Sequence, residues 1–167
     1  AKLGVKDYVV KAEFSPAEVL EKVRAQLAES ASARGADSGG GASILIVEDD
    51  PLLSSISASH LQEQGYRVSV ATDGEEALAF LEKEIPDLVL LDIVMPGIGG
   101  FDVLKAIKQN KRTKGVSVII FSNLGQEHEI EDCKKLGADA FLVKAKFTPR
   151  EALGKIREVL KKKRRAV

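Results

Sequence analysis

Four short apolar runs, Ile44 to Val47, Leu88 to Leu91, Val116 to Phe121 and Ala140 to Val143, each stop at a polar residue and give way to a stretch with helical periodicity. A chain that repeats this alternation has few choices. Each helix must fold back over the strand before it to bury its apolar stripe, and the next strand then lies parallel to the last. The runs are apolar at nearly every position, as in strands covered on both faces. A fifth run, Tyr66-Arg67-Val68-Ser69-Val70, alternates apolar with polar and suits an edge strand. The sequence therefore predicts an α/β fold, a doubly wound five-stranded parallel sheet with five helices.

The helix ends carry matching signals. Asp50 is expected to cap the first helix with Pro51 in its first turn, Leu52, Leu53, Ile56 and Leu61 forming the buried stripe and Gly65 the stop. Thr72 and Glu75 read as a capping box for a second helix with Ala77, Leu78, Leu81 and Ile85 inward. Val103, Leu104 and Ile107 face the core from the third helix, and Ile130, Cys133 and Leu136 from the fourth, which Gly137 ends. The fifth opens at Thr148-Pro149-Arg150-Glu151 and buries Leu153, Ile156 and Leu160. His128 is expected on an exposed helix face. The basic run Lys161 to Arg165 is read as the end of the last helix, where cations offset the macrodipole.

In an open parallel sheet the ligand site lies beyond the carboxyl ends of the strands. Strand one runs into Glu48-Asp49-Asp50, strand three into Asp92, strand four into Ser122 and strand five into Lys144. Glu48, Asp49 and Asp92 would repel one another unless a cation sat among them, and so few carboxylates, leaving room for waters and a phosphate, suit Mg²⁺. A carboxylate can also attack phosphorus to form an acyl phosphate. Charge on the transferred oxygens would then be neutralised by the metal, the Lys144 ammonium and the Ser122 hydroxyl.

Five blocks in this order are similar to the receiver domain of bacterial two-component response regulators. Ile-Leu-Ile-Val-Glu-Asp-Asp (44 to 50) resembles its acidic start and Leu-Leu-Asp-Ile-Val-Met-Pro-Gly (90 to 97) its phosphorylation loop. Ile-Ile-Phe-Ser (119 to 122), Leu-Gly-Ala-Asp-Ala-Phe (136 to 141) and Leu-Val-Lys (142 to 144) resemble its switch and basic strands. The resemblance implies a flavodoxin-like strand order 2-1-3-4-5. It implies Asp92 as phosphoacceptor, with Glu48, Asp49, Asp92 and the backbone carbonyl of Val94 as Mg²⁺ ligands, and Ser122, Phe141 and Lys144 as the switch and phosphate-binding set. It further implies a histidine kinase or histidine phosphotransfer protein as partner, and a signalling role rather than that of an enzyme. Two positions depart from the pattern. Ala145 stands where most receivers have Pro after the Lys, so a trans bond is expected there. Val94 and Leu124 are apolar where the family admits or excludes attacking water, which leans towards a long-lived phosphoryl group.

Residues Lys2 to Leu27 repeat Lys135 to Leu160 at a constant offset, with thirteen of the 26 paired positions identical. The simplest source is the last strand and helix of an upstream receiver. Thirteen of the sixteen residues from Ala28 to Ser43 are Ala, Ser or Gly, the composition of a flexible linker. The expected organisation is a partial receiver (1–27), a linker (28–43), a complete receiver (44–163) and a basic tail (164–167). The chain opens on Ala1 in mid-pattern and reads as a piece of something longer. The spare βα unit would pack elsewhere or be exchanged between chains, favouring a homodimer.

Lys+Arg and Asp+Glu both number 25, so no global field draws the chain to nucleic acid or an anionic membrane. No apolar run approaches the ~20 residues that cross a bilayer. A lone Cys133 and no signal-like opening fit a reducing cytoplasm. A pseudo-receiver that only binds partners is the rival from another class, and a complete acidic pocket with Asp92 and Lys144 argues against it. A phosphatase using Asp92 would want a second carboxylate two residues on, where Val94 stands.

Overall fold

β1 (Ser43–Val47) and β3 (Leu88–Leu91) lie side by side at the centre of the sheet because almost every side chain on them has lost contact with water. β2 (Arg67–Ala71) flanks β1, while β4 (Ser117–Ser122) and β5 (Ala140–Val143) extend the sheet beyond β3. The order is β2-β1-β3-β4-β5, with every pair parallel. The computed structural model describes residues 41–165, so the expected partial receiver (1–27), most of the linker and the last two residues of the basic tail lie outside the described residues.

Alternation along the central strands divides the core in two. Leu45, Val47, Val89, Leu91, Val118 and Ile120 meet α2 (Gly74–Lys83), α3 (Gly100–Gln109) and α4 (Glu127–Leu136) through Ala77, Leu81, Val103, Leu104, Ile107 and Cys133. Ile44, Ile46, Leu88, Leu90, Ile119 and Leu142 face the other way. They meet α1 (Pro51–Glu63) and α5 (Pro149–Arg165) through Leu61, Leu153, Ile156 and Leu160. The sheet is thus covered on both faces, as uninterrupted apolar strands require. Strand order reverses between β1 and β3, which opens a crevice at their carboxyl ends.

Several caps form as the sequence predicts. Asp50 Oδ1 accepts from the N–H groups of Leu52 and Leu53 at 2.9 and 3.2 Å, and the Thr148–Glu151 box closes reciprocally at 2.7 and 3.2 Å. Gly137 ends α4 in the left-handed region, φ 103°, where a side chain would be strained.

Others shift. The α2 cap is Asp73, not Thr72: its carboxylate accepts from Glu76 N–H at 2.7 Å, while Glu76, not Glu75, reaches back to Thr72. That register puts Gly74, Ala77 and Leu81 against the sheet and leaves Ile85 beyond the helix end, exposed. In α1 the expected stripe is also displaced. Leu61 is buried as expected, but Leu52 and Leu53 are exposed because the first turn lies beyond the ends of the strands, and Ser54 and His60 are buried in their place. β1 begins at Ser43, inside the expected linker, because Asp87 ties its N–H and hydroxyl at 2.8 and 3.2 Å. α5 runs to Arg165, so the start of the expected basic tail is helical.

Candidate functional site

The carboxyl edge of the sheet gathers its polar groups on the last rungs of the hydrogen-bond ladder. Glu48 N–H donates to Ala71 O at 3.1 Å and Asp92 N–H to Val47 O at 3.0 Å, each one residue past its strand. Lys144 N–H likewise donates to Ser122 O at 2.9 Å. Backbone pairing therefore fixes where Glu48, Asp92, Ser122 and Lys144 begin, and short or buried side chains leave them little freedom. Glu48 and Asp92 are each 6% exposed and Ser122 is fully buried, whereas Asp49 is exposed.

Lys144 joins the two buried carboxylates. Its Nζ donates to Asp92 Oδ2 at 2.8 Å and to Glu48 Oε2. The other Asp92 oxygen, Oδ1, accepts from Val94 N–H at 3.1 Å, and Glu48 Oε1 accepts from Asp50 N–H at 3.3 Å. Burial pushes the Glu48 carboxyl above the usual carboxylate range, a rise that Lys144 opposes without cancelling. Burial would lower the Lys144 ammonium, but its hydrogen bonds to Asp92 and Glu48 outweigh that and raise it. Lys144 is therefore charged at neutral pH. Its ammonium also lies 5.7 Å from the centre of the Phe121 ring, within cation–π range.

One oxygen from each of Glu48, Asp49 and Asp92 falls within 4.8 Å of the others. Oxygens on opposite sides of an octahedral Mg²⁺ stand about 4.2 Å apart, twice the ~2.1 Å bond. The donor set fits a small hard cation after a slight closing. Val94 N–H already holds Asp92, while the Val94 side chain is exposed. Gly100 keeps the loop after Asp92 tight, since a Cβ there would run into the Asp92 carbonyl and lie 2.5 Å from Ile93 Cα.

Ser122 Oγ accepts from Leu124 N–H at 3.4 Å, so the hydroxyl keeps its own proton to donate. Phe141 lies on β5, half-buried against the core formed with α2, α3 and α4, away from these hydrogen bonds. All peptide bonds among the described residues are trans, that between Lys144 and Ala145 included. Sequence reasoning brought Glu48, Asp49, Asp92, Ser122 and Lys144 to this edge and missed Phe121, whose only signal was its place next to Ser122. Cys133 is buried, and burial pushes its thiol up to about 11, so it is an inert core side chain. His128 is exposed, as expected.

The arrangement is a buried carboxylate held by an ammonium and an amide, beside two further carboxylates and a hydroxyl. Comparison with known proteins agrees with it. Residues 44–157 match the response regulator receiver domain family. The transcriptional regulatory protein CpxR of Escherichia coli is 41% identical over 119 residues, 71% of this chain and 49% of CpxR. The chain spans about half the length of the curated relatives it matches. Among solved structures, a CheY-like receiver domain protein from Methanospirillum hungatei superposes with a TM-score of 0.72 at 29% identity, covering 76% of this chain and 99% of that one. Chemotaxis protein CheY4 of Vibrio cholerae gives 0.67 at 30% identity, covering 71% and 98%. On sequence, topology and the composition of its carboxyl edge, this chain belongs to the response regulator receiver domain family.

Proposed function

We propose that Asp92 is the residue that accepts the phosphoryl group in this receiver. The observation that carries this reading is the state of its carboxylate: buried, oriented by Val94 N–H and paired with Lys144. A carboxylate so held needs no general base to act as a nucleophile. One Asp92 oxygen forms the new bond to phosphorus while the bond from phosphorus to the donor's leaving atom breaks, a ring nitrogen in a phosphohistidine or an oxygen in acetyl phosphate, and that atom departs with the donor. Glu48, Asp49, Asp92 and the Val94 carbonyl would hold Mg²⁺, which supplies charge neutralisation for the phosphoryl oxygens. Lys144 and the Ser122 hydroxyl are the remaining donors facing that charge, and Phe141 is the aromatic that would report it to the surface made by α4, β5 and α5.

The phosphodonor in this reading is a histidine kinase or a histidine phosphotransfer protein, and the setting is the cytoplasm. No helix among the described residues is long and apolar enough to cross a membrane. Relatives named as transcriptional regulators are about twice as long as the part matched here, so their output is not carried over to residues 44–163. The repeated segment at 1–27 would dock apart from the complete receiver or exchange between chains. Light scattering that finds a dimer for the full chain and a monomer for one starting at Ala42 would support exchange.

Incubation of the full chain with acetyl phosphate and Mg²⁺, followed by intact-mass spectrometry, should add one phosphoryl group. Asp92→Asn should add none, and EDTA should prevent the gain in the parent chain. Equal labelling of Asp92→Asn would overturn the assignment.

A further inference from the structure

The opposite edge of the sheet carries a second concentration of charge, of the other sign. Between the C-terminal ends of α3 and α5 and the amino end of β4 lies a cavity of about 340 Å³, lined by Lys108, Lys114, Lys155, Lys162 and Lys163. Two acidic residues, Asp139 and Glu158, share the lining, so the walls carry three more positive than negative charges. Helix C-termini draw cations, which accounts for one or two lysines at each. It does not account for five lysines lining a single concavity.

Backbone groups hold several of these ammoniums in place. Lys108 Nζ donates to Val116 O at 2.8 Å and Lys163 Nζ to Asp87 O at 3.0 Å. Each bond uses one of three ammonium protons and leaves the positive charge unneutralised. Asp139 stands 3.8 Å from Lys108, and Glu158 is shared by Lys155 and Lys162. Burial lowers the Lys108 ammonium, and the nearby Lys163 charge lowers it further, against the pull of Asp139. The cations crowd one another, and an anion between them would relieve that crowding.

We infer that this cavity binds a small polyanion of the oligophosphate class. Lysines act as point charges toward phosphate oxygens and need no fixed fork geometry. The volume equals the liquid share of about eleven waters, more than one phosphate fills. No aromatic side chain among the described residues lines it, so none of them is placed to stack a base, and recognition falls on the phosphates themselves. The site lies at the amino edge of the strands, away from Asp92, and does not depend on the role proposed for that residue.

Inorganic tripolyphosphate is the probe, titrated calorimetrically into the full chain in EDTA, where metal-dependent chemistry at Asp92 is silent. Saturable one-to-one binding is expected. Lys114→Gln with Lys162→Gln should weaken it by about tenfold or more, since both residues line the cavity and neither is among the lysines that hold a backbone carbonyl there. Lys83→Gln with Lys105→Gln removes the same charge from helix surfaces outside the cavity and should change affinity less than about twofold. Both double variants should still take up phosphoryl groups from acetyl phosphate with Mg²⁺, which shows that they fold. Binding that never saturates, or that falls equally in the two double variants, overturns the proposal.

Discussion

Lys144 and Lys108 stand at opposite edges of one sheet with most of their side chains out of water, 10% and 19% exposed, yet burial has opposite outcomes for them. Lys144 meets two full negative charges and its ammonium is raised. Lys108 meets carbonyl dipoles, a more distant carboxylate and another lysine, and its ammonium is lowered. A third buried base completes the series. His60, on α1 facing α5, has no hydrogen-bond partner at either ring nitrogen among the described residues, and burial lowers it, with Arg157 adding to the effect and Glu63 opposing it. Loss of water is common to all three, so the partner decides the sign.

The largest effect is expected at Lys144. Lys144→Met keeps the packing but leaves Glu48 and Asp92 buried with no cation, a loss of about 3 kcal/mol expected in urea melts with EDTA present. Added Mg²⁺ should restore part of it, because the metal would occupy the charge deficit. A loss in EDTA no larger than that of the next variant would end the distinction drawn here.

Lys108→Met is that variant. It strands one acceptor, the Val116 carbonyl, while relieving the repulsion with Lys163, and should cost about 1 kcal/mol with no response to Mg²⁺. A Mg²⁺ response equal to that of Lys144→Met would mean that the metal acts on the whole chain rather than at the carboxyl edge.

His60 should give the smallest effect and the one most dependent on conditions. Its folded pKa lies below the ordinary 6.5, so the unfolded chain binds the proton first as pH falls. The contribution of the neutral ring is complete above pH 6.5 and is lost as pH drops through the folded value. Denaturant midpoints at pH 5.0 and 7.5 should therefore differ less in His60→Leu than in the parent chain. An unchanged difference would remove His60 from the account.

The strands and the gathering of polar groups at the carboxyl edge were readable because they rest on local signals, whereas the strand order came only from the resemblance to receiver domains. An uninterrupted apolar run means burial on both faces, and a polar residue at its end means an edge. The α1 stripe was misread because Leu52 and Leu53 fit the period but sit where no sheet lies beneath them, a fact of tertiary placement. The α2 cap slipped by one residue because Thr72-x-x-Glu75 and Asp73-x-x-Glu76 are equally good boxes, and packing of Ala77 and Leu81 chooses between them. His60 and Phe121 escaped notice for a related reason. The lowering of His60 comes first from burial, with Arg157 adding to it, and the place of Phe121 comes from Lys144; these partners are distant in the chain, and no spacing rule connects them.

The pairing of Lys144 with Glu48 and Asp92 also sets an order of events during synthesis. The acids are 96 and 52 residues ahead of the lysine, so β1 and β3 leave the ribosome with their end charges unanswered. Contacts this remote in sequence form late, after the loops between them have closed. A nascent chain that has made β1 to β4 can bring its apolar runs together, but the acidic crevice stays hydrated until β5 arrives. The last strand to emerge is thus the one that closes over the two buried carboxylates, and a chain cut short before Lys144 would leave water on Glu48 and Asp92 at the carboxyl edge of its sheet.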